Sequence, residues 1–149
     1  MSAERDLQGL TCFVDTNVIL YSLDSRDPRK QSAAAAWLSY LWREQTGRIS
    51  WQVLNEFYVN AVRKFALPAA PARQVVELFS QWKPGGMSLE VAARGWHWMD
   101  QAQLTWWESL IVASAERQGC GAILSEDFSH GREYGSVMVI NPFRSEPPA

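Results

Sequence analysis

A single stretch, residues 11–21, limits the fold of this chain more than any other. Two apolar runs meet in it at one carboxylate, Asp15, which Thr16 and Asn17 follow. The pattern predicts a buried strand that ends in a tight connection and reopens as a helix. In open parallel α/β sheets the ligand crevice lies at the carboxyl ends of the strands, so Asp15 is placed for chemistry. An aspartate here also suits the cap of the following helix, and both roles stay open.

The composition indicates one folded domain, which we expect to span residues 1–149. The chain is 47% hydrophobic and 20% charged, as in ordinary globular proteins. Its formal charge of −2 argues against a protein that coats DNA electrostatically, but it is compatible with a nucleic-acid enzyme that has local basic patches. Candidates for contacts with a nucleic-acid backbone are Arg26, Arg29, Lys30, Arg63, Lys64 and Arg132.

The cysteines and the N-terminus favour a cytoplasmic location. Cys12 and Cys120 fit neither a metal-binding spacing nor a disulfide framework, which suits a reducing compartment. No apolar run is long enough to span a membrane, and the charged N-terminus lacks the pattern of a signal peptide. Eight tryptophans are many for this length. We expect most of them in the core, although large aromatic residues also suit a partner surface.

Strands and helices alternate along the chain. The spacing of apolar residues predicts helices over residues 29–45, 52–66, 72–82, 90–103 and 105–119, with Gly47 stopping the first. Apolar runs predict strands at residues 48–51, 121–125 and 137–140, and a residual strand at 87–88. Residues 144–149 form a polar, proline-rich tail that we expect to fray. This alternation predicts an α/β fold with a parallel sheet and helices on both faces.

Four carboxylates fall where such a sheet would bring them into one crevice. Asp15 and Asp127 follow strands, Glu108 opens a helix, and Glu56 lies on a helix directly after a strand. Unit charges about 4 Å apart repel by about 4 kcal/mol at an intermediate dielectric, and a divalent cation relieves that repulsion. Oxygen ligands without His or Cys favour Mg²⁺ or Mn²⁺, and such sites typically serve phosphoryl transfer.

Polar neighbours and competing structural roles complete this pattern. Thr16, Asn17 and Ser125 are placed to position ligands or an attacking water by hydrogen bonds. Thr105 and Glu108, however, also form the T-x-x-E pattern of a helix capping box. Glu56 lies on the flank of its helix, outside the apolar stripe. An ordinary solvated glutamate without a functional role also fits this position.

These motifs resemble those of the PIN-domain family, and specifically of its toxin members in type II toxin–antitoxin modules, the VapC-type toxins. The resemblance extends over nearly the whole chain and is carried by residues 13–21 (FVDTNVILY), 55–57 (NEF), 107–115 (WESLIVASA), 124–128 (LSEDF) and 139–143 (VINPF). It implies an α/β/α sandwich around a mostly parallel sheet and a Mg²⁺- or Mn²⁺-dependent endoribonuclease. It also implies an RNA substrate, a cognate antitoxin that blocks the site, and a homodimer.

By position, the resemblance assigns the acidic cluster to Asp15, Glu56, Glu108 and Asp127. Asp15, Glu108 and Asp127 would bind the metal, and Ser125 would occupy the family's small-hydroxyl position. The third acid of the family is usually Asp, so Glu108 moves its carboxylate outward by about a bond length, and catalytic geometry is sensitive to about 1 Å.

Two other hypotheses remain beside the ribonuclease. A catalytically weak module that binds RNA or protein is compatible with the unusual Glu108. A small phosphatase is the other, because an Asp after a buried strand also opens haloacid-dehalogenase-type motifs. Those motifs expect a second Asp two residues later, where this chain has Asn17.

Overall fold

The computed structural model describes residues 6–149, and its centre is one five-stranded sheet. The strands are β1 (Cys12–Val14), β2 (Gly47–Arg48), β3 (Ala122–Leu124), β4 (Glu133–Tyr134) and β5 (Val137–Ile140). Their order in the sheet is β2-β1-β3-β5-β4. The pairs among β2, β1, β3 and β5 are parallel, and β4 is antiparallel to β5. The prediction of a mostly parallel sheet is therefore confirmed.

Six α-helices surround the sheet in the described part of the chain. They are α1 (Thr16–Ser22), α2 (Pro28–Glu44), α3 (Trp51–Arg63), α4 (Ala69–Phe79), α5 (Leu89–Ala102) and α6 (Trp106–Arg117), and a 3-10 helix, Ser80–Trp82, follows α4. Every residue of β1 and of β3 is buried, which requires cover on both faces of the sheet. The α/β sandwich expected from the sequence is therefore confirmed.

The end of α2 differs from the prediction. Its last residue is Glu44, and Gln45 closes it in the left-handed conformation with φ of 59°. Gly47 lies instead in β2, where an added Cβ would come within 2.6 Å of the Trp82 indole. The prediction that Gly47 stops the helix is wrong. The position requires a glycine because the Trp82 indole packs closely against the strand.

Several other boundaries of strands and helices also differ from those predicted from the sequence. The strand predicted at residues 48–51 contributes only Arg48 to β2, and the next residues lead into α3, which Ser50 caps. The residual strand at 87–88 is absent from the described chain, since Ser88 caps α5. Helix α4 begins at Ala69, before the predicted start at residue 72. Pro71 therefore lies in its first turn, where a missing N–H costs no helical hydrogen bond. The two-residue strand β4 was not predicted at all.

The tryptophans divide between the core and the surface. Trp37 and Trp98 are buried, and three more, Trp42, Trp82 and Trp106, pack partly buried against buried residues. The indole N–H of Trp37 donates to the carbonyl oxygen of Ser145 at 2.8 Å, which ties the predicted tail to α2 at that point.

The remaining three tryptophans, Trp51, Trp96 and Trp107, are exposed. Among residues 6–149, no helix is both long and apolar enough to cross a membrane.

Candidate active site

Asp15 is a buried carboxylate at the carboxyl end of a central strand. It follows β1, which lies between β2 and β3, and it is only 6% exposed. Its Oδ1 accepts a hydrogen bond from the backbone N–H of Thr16 at 2.8 Å, and its Oδ2 accepts one from the Ser125 hydroxyl at 2.7 Å. Asp15 therefore caps α1 with one oxygen and directs the other toward the end of β3. The capping role is therefore confirmed, and the chemical role of Asp15 stays a prediction.

A hydrogen-bond network joins the end of β1 to the end of β3. The side-chain nitrogen of Asn17 lies 3.3 Å from Asp15 Oδ2, 3.2 Å from Ser125 Oγ and 3.1 Å from Asp127 Oδ2. The backbone N–H of Asp127 donates to Ser125 Oγ at 3.0 Å, and that of Glu126 donates to Asn17 Oδ1 at 3.3 Å. The parallel pairing of β1 with β3 brings these distant parts of the chain together.

Glu56 joins this network through Thr16. The Thr16 hydroxyl donates to Glu56 Oε2 at 2.9 Å. The Gln52 side-chain nitrogen lies 3.2 Å from Glu56 Oε1 and 3.2 Å from the carbonyl oxygen of Trp107, at the start of α6. Gln52 therefore fixes Glu56 and links α3 to α6. Gln52 was not among the residues predicted from the sequence, although its position four residues before Glu56 is the spacing at which helical side chains meet.

Glu108 is turned toward the cap of its own helix. Its Oε1 accepts a hydrogen bond from the backbone N–H of Thr105 at 3.0 Å, and Thr105 Oγ1 accepts one from the backbone N–H of Glu108 at 3.2 Å. The predicted capping box is confirmed. Among the described residues, the Glu108 carboxylate makes no hydrogen bond to Asp15, Glu56 or Asp127, so the structure brings three of the four predicted carboxylates into one network.

Burial and negative charge dominate the electrostatics of this network. The pKa of Asp15 is raised to about 6, mainly by burial and to a lesser extent by the nearby carboxylates of Asp127 and Glu56. The hydrogen bonds from the Ser125 hydroxyl and the Thr16 N–H act in the opposite direction. Within residues 6–149, none of the three carboxylates forms a salt bridge with a basic side chain. The network therefore holds negative charge that no such ion pair neutralises.

A basic side chain beside this network already forms a salt bridge. Lys30 Nζ lies 2.8 Å from a carboxylate oxygen of Glu126, beside Asp127, and 4.6 Å from the ring centroid of Tyr21. Of the other basic residues predicted to contact a nucleic acid, Arg26 pairs with Asp24 and Arg132 lies over Tyr134, whereas Arg29, Arg63 and Lys64 are exposed.

The donor set of the network suits a hard divalent cation. Its donors are carboxylate, hydroxyl and amide oxygens, which Mg²⁺ and Mn²⁺ prefer. In the arrangement seen, no group of three or more His, Cys, Asp or Glu side chains in the described chain is set to hold a metal ion. The Asn17 amide nitrogen lies between the Asp15 and Asp127 carboxylates, and Glu108 is engaged in its cap. Binding therefore requires side chains to turn toward the ion.

Comparisons with known proteins identify the fold. A family model described as the PIN domain matches residues 12–132. VapC20 from Mycobacterium tuberculosis, a sarcin-ricin loop cleaving toxin, is 19% identical with a TM-score of 0.60, over 78% of this chain and 91% of that chain. A toxin–antitoxin complex from Klebsiella pneumoniae contains a chain 18% identical with a TM-score of 0.64, over 88% of this chain and 97% of that one. No curated protein matches. Since the family model covers most of the sequence, the chain belongs to the PIN-domain family.

Proposed function

We propose that this protein is an endoribonuclease that depends on Mg²⁺ or Mn²⁺. The observation that carries the proposal is the joining of Asp15 and Asp127, at the ends of two adjacent parallel strands, through the Asn17 amide and the Ser125 hydroxyl. This cluster is acidic, partly buried and free of His and Cys, as a site for a hard divalent cation should be. Membership of the PIN-domain family supports the same chemistry.

The residues of the cluster have distinct proposed roles. Asp15 and Asp127 would hold the ion, and Glu108 would be its third ligand once its carboxylate left the cap. A bound divalent cation lowers the pKa of the attacking water and stabilises charge on the phosphate. Glu56 orients that water or takes its proton, because Thr16 and Gln52 fix its carboxylate.

The small polar side chains set the positions of these acids. Ser125 and Asn17 each hydrogen-bond to both Asp15 and Asp127, so they orient the two acids relative to each other. Thr16 connects α1 to Glu56. We expect their removal to change the rate of cleavage and the affinity for the metal together, because they act through the carboxylates.

The proposed biological role is that of a toxin in a toxin–antitoxin pair in the cytoplasm. A solved structure of similar fold is a toxin–antitoxin complex, which supports a cognate antitoxin as the protein partner. The proposed substrate is unpaired RNA, since single-stranded segments are what most proteins read by sequence. The exposed Trp96 supports a protein interface, and we propose a homodimer.

One observation favours a second function. The engagement of Glu108 in the capping box supports a catalytically weak module that binds RNA or protein without cutting it. A rate of cleavage that stays at background when Glu108→Asp restores the shorter carboxylate would favour this module. Faster cleavage by Glu108→Asp would instead show that the longer side chain slows an active enzyme.

Cleavage of a mixed RNA panel tests the main proposal. Purified, partner-free protein should cut tRNA, rRNA fragments or single-stranded RNA with Mg²⁺ or Mn²⁺ and not with EDTA. Asp15→Asn should abolish cutting, whereas the control Asp100→Asn, an exposed acid on α5, should not. Absence of cutting by folded protein under every condition would contradict the proposal. Hydrolysis of a small phosphate ester without RNA would favour the phosphatase instead.

A further inference from the structure

An open cavity of about 630 Å³ lies between the start of α3 and the α5–α6 pair. Its apolar walls are formed by Trp51, Met87, Val91, Trp106, Trp107 and Leu110. Trp107 is 61% exposed and Trp51 is 44% exposed. Two tryptophans that stay in water at the mouth of an apolar cavity are typical of a binding surface, because leaving such large rings exposed is unfavourable.

The cavity is continuous with the acidic cluster. Glu56 lines it, and the same carboxylate accepts the hydrogen bond from Thr16, the neighbour of Asp15. Gln52 also lines it and connects Glu56 to the backbone of Trp107. A group that enters the cavity therefore lies next to the residues proposed to act on the phosphodiester.

The charge of the residues that line the cavity indicates which kind of group can bind inside it. Among the described residues around the cavity, Glu56 alone is charged, and no Lys or Arg is present to pair with a phosphate. A phosphate or an acidic peptide is therefore disfavoured inside. A flat, neutral, aromatic group with a polar edge fits, because the indoles offer stacking faces and Asn55 places an exposed amide on the lining.

We propose that this cavity binds an unpaired nucleobase adjacent to the scissile phosphodiester, stacked against Trp107 and Trp51. The proposal rests on the ribonuclease function proposed above and names a specificity site for it. It predicts that cleavage requires an unstacked base beside the cut, so that base-paired RNA is a poor substrate.

Binding of a fluorescent RNA to uncleaving protein tests the proposal. Full-length Asp15→Asn protein in EDTA is titrated with a short uridine-rich RNA that carries one 2-aminopurine, whose fluorescence is quenched when the base stacks. Trp107→Ala in the same background should weaken binding about five- to 100-fold and reduce the quenching. Trp107→Phe keeps a stacking face and should retain most of both effects.

Two controls separate a stacking role from a general effect on the protein. Leu89→Ala removes an apolar side chain that is 77% exposed and lies outside the cavity lining, so binding should not change. An RNA with an abasic ribose in place of the 2-aminopurine should bind Asp15→Asn protein more weakly. The binding of this abasic RNA should also be unaffected by Trp107→Ala, because the RNA lacks the base that stacks on the indole.

The outcomes distinguish this inference from the function on which it rests. RNA binding that is equal in Trp107→Ala and Leu89→Ala, with quenching unchanged, would overturn the base site and leave the nuclease proposal intact. Such a result would favour a protein segment as the occupant of the cavity. Failure of every variant to bind RNA would overturn both proposals.

Discussion

Replacing the buried carboxylate, Asp15→Asn, should stabilise the metal-free protein at neutral pH. The magnitude follows from the pKa of Asp15, which burial raises from 3.8 to about 6. Each pKa unit corresponds to about 1.4 kcal/mol, so the ionised side chain costs the folded state about 3 kcal/mol. The introduced amide avoids this cost but turns a donor toward Ser125 and Asn17, which loses about 1 kcal/mol of hydrogen bonding. The net gain expected at pH 7 is about 2 kcal/mol.

The pH dependence has a definite sign. Because the pKa of Asp15 is higher in the folded state than in the unfolded chain, the folded state holds the proton more tightly between about pH 4 and pH 6. The contribution of this group to stability is complete below about pH 4 and is lost as the pH rises through about 6. The gain from Asp15→Asn should therefore grow over this interval and then level off.

Urea unfolding in EDTA at pH values from about 4 to 8 measures this effect. The difference in free energy of unfolding between Asp15→Asn and wild type should increase by about 2.5 kcal/mol across the series. Ser125→Ala should shift the loss of stability to higher pH, because the Ser125 hydroxyl lowers the pKa of Asp15. A difference that stays constant from pH 4 to pH 8 would show that the pKa of Asp15 is not raised in the folded protein.

Three further predictions concern the helix cap, a strand and the C-terminal tail. Glu108→Gln should keep the capping box, because Gln also completes this motif, so stability should change by less than about 0.5 kcal/mol. The rate of RNA cleavage should fall at least about tenfold. An unchanged rate would mean that Glu108 serves only as a cap. Gly47→Ala should cost about 1–3 kcal/mol in urea unfolding because its Cβ meets the Trp82 indole, and a loss below about 0.5 kcal/mol would contradict this. Trp37→Phe removes the hydrogen bond to Ser145, so it should lower the free energy of unfolding by about 1 kcal/mol and speed hydrogen exchange over residues 143–149. Unchanged exchange would show that this bond does not hold the tail.

Local patterns explain why much of the fold could be predicted. The apolar runs around Asp15 and before Ser125 are continuous because β1 and β3 are buried on both faces. The Thr105 cap is likewise a pattern of four consecutive residues. Such features depend on neighbours in the sequence, so the sequence alone reveals them.

Features that depend on distant residues were missed. Gly47 is a glycine because of Trp82, 35 positions further along the chain. Gln52 matters because it reaches the backbone of Trp107 as well as Glu56. The cavity is assembled from three separate segments, and no one of them carries its signal.

The orientation of Glu108 could not be decided from the sequence for a different reason. Two valid patterns use the same carboxylate, the capping box with Thr105 and the acidic cluster with Asp15. The structure shows the first of them. Leaving the cap costs about 1 kcal/mol, which the proposed metal ion would offset if it bound Glu108, so the observed cap is compatible with the proposed role.

The rate of RNA cleavage as a function of Mn²⁺ concentration, measured for wild type and Asp15→Asn side by side, tests directly whether the protein is a metal-dependent nuclease. The rate for wild type should rise to a plateau with Mn²⁺ and return to zero with EDTA, and Asp15→Asn should not cleave RNA at any concentration. Cleavage that persists in EDTA, or that Asp15→Asn retains, would contradict a metal-dependent site built around Asp15.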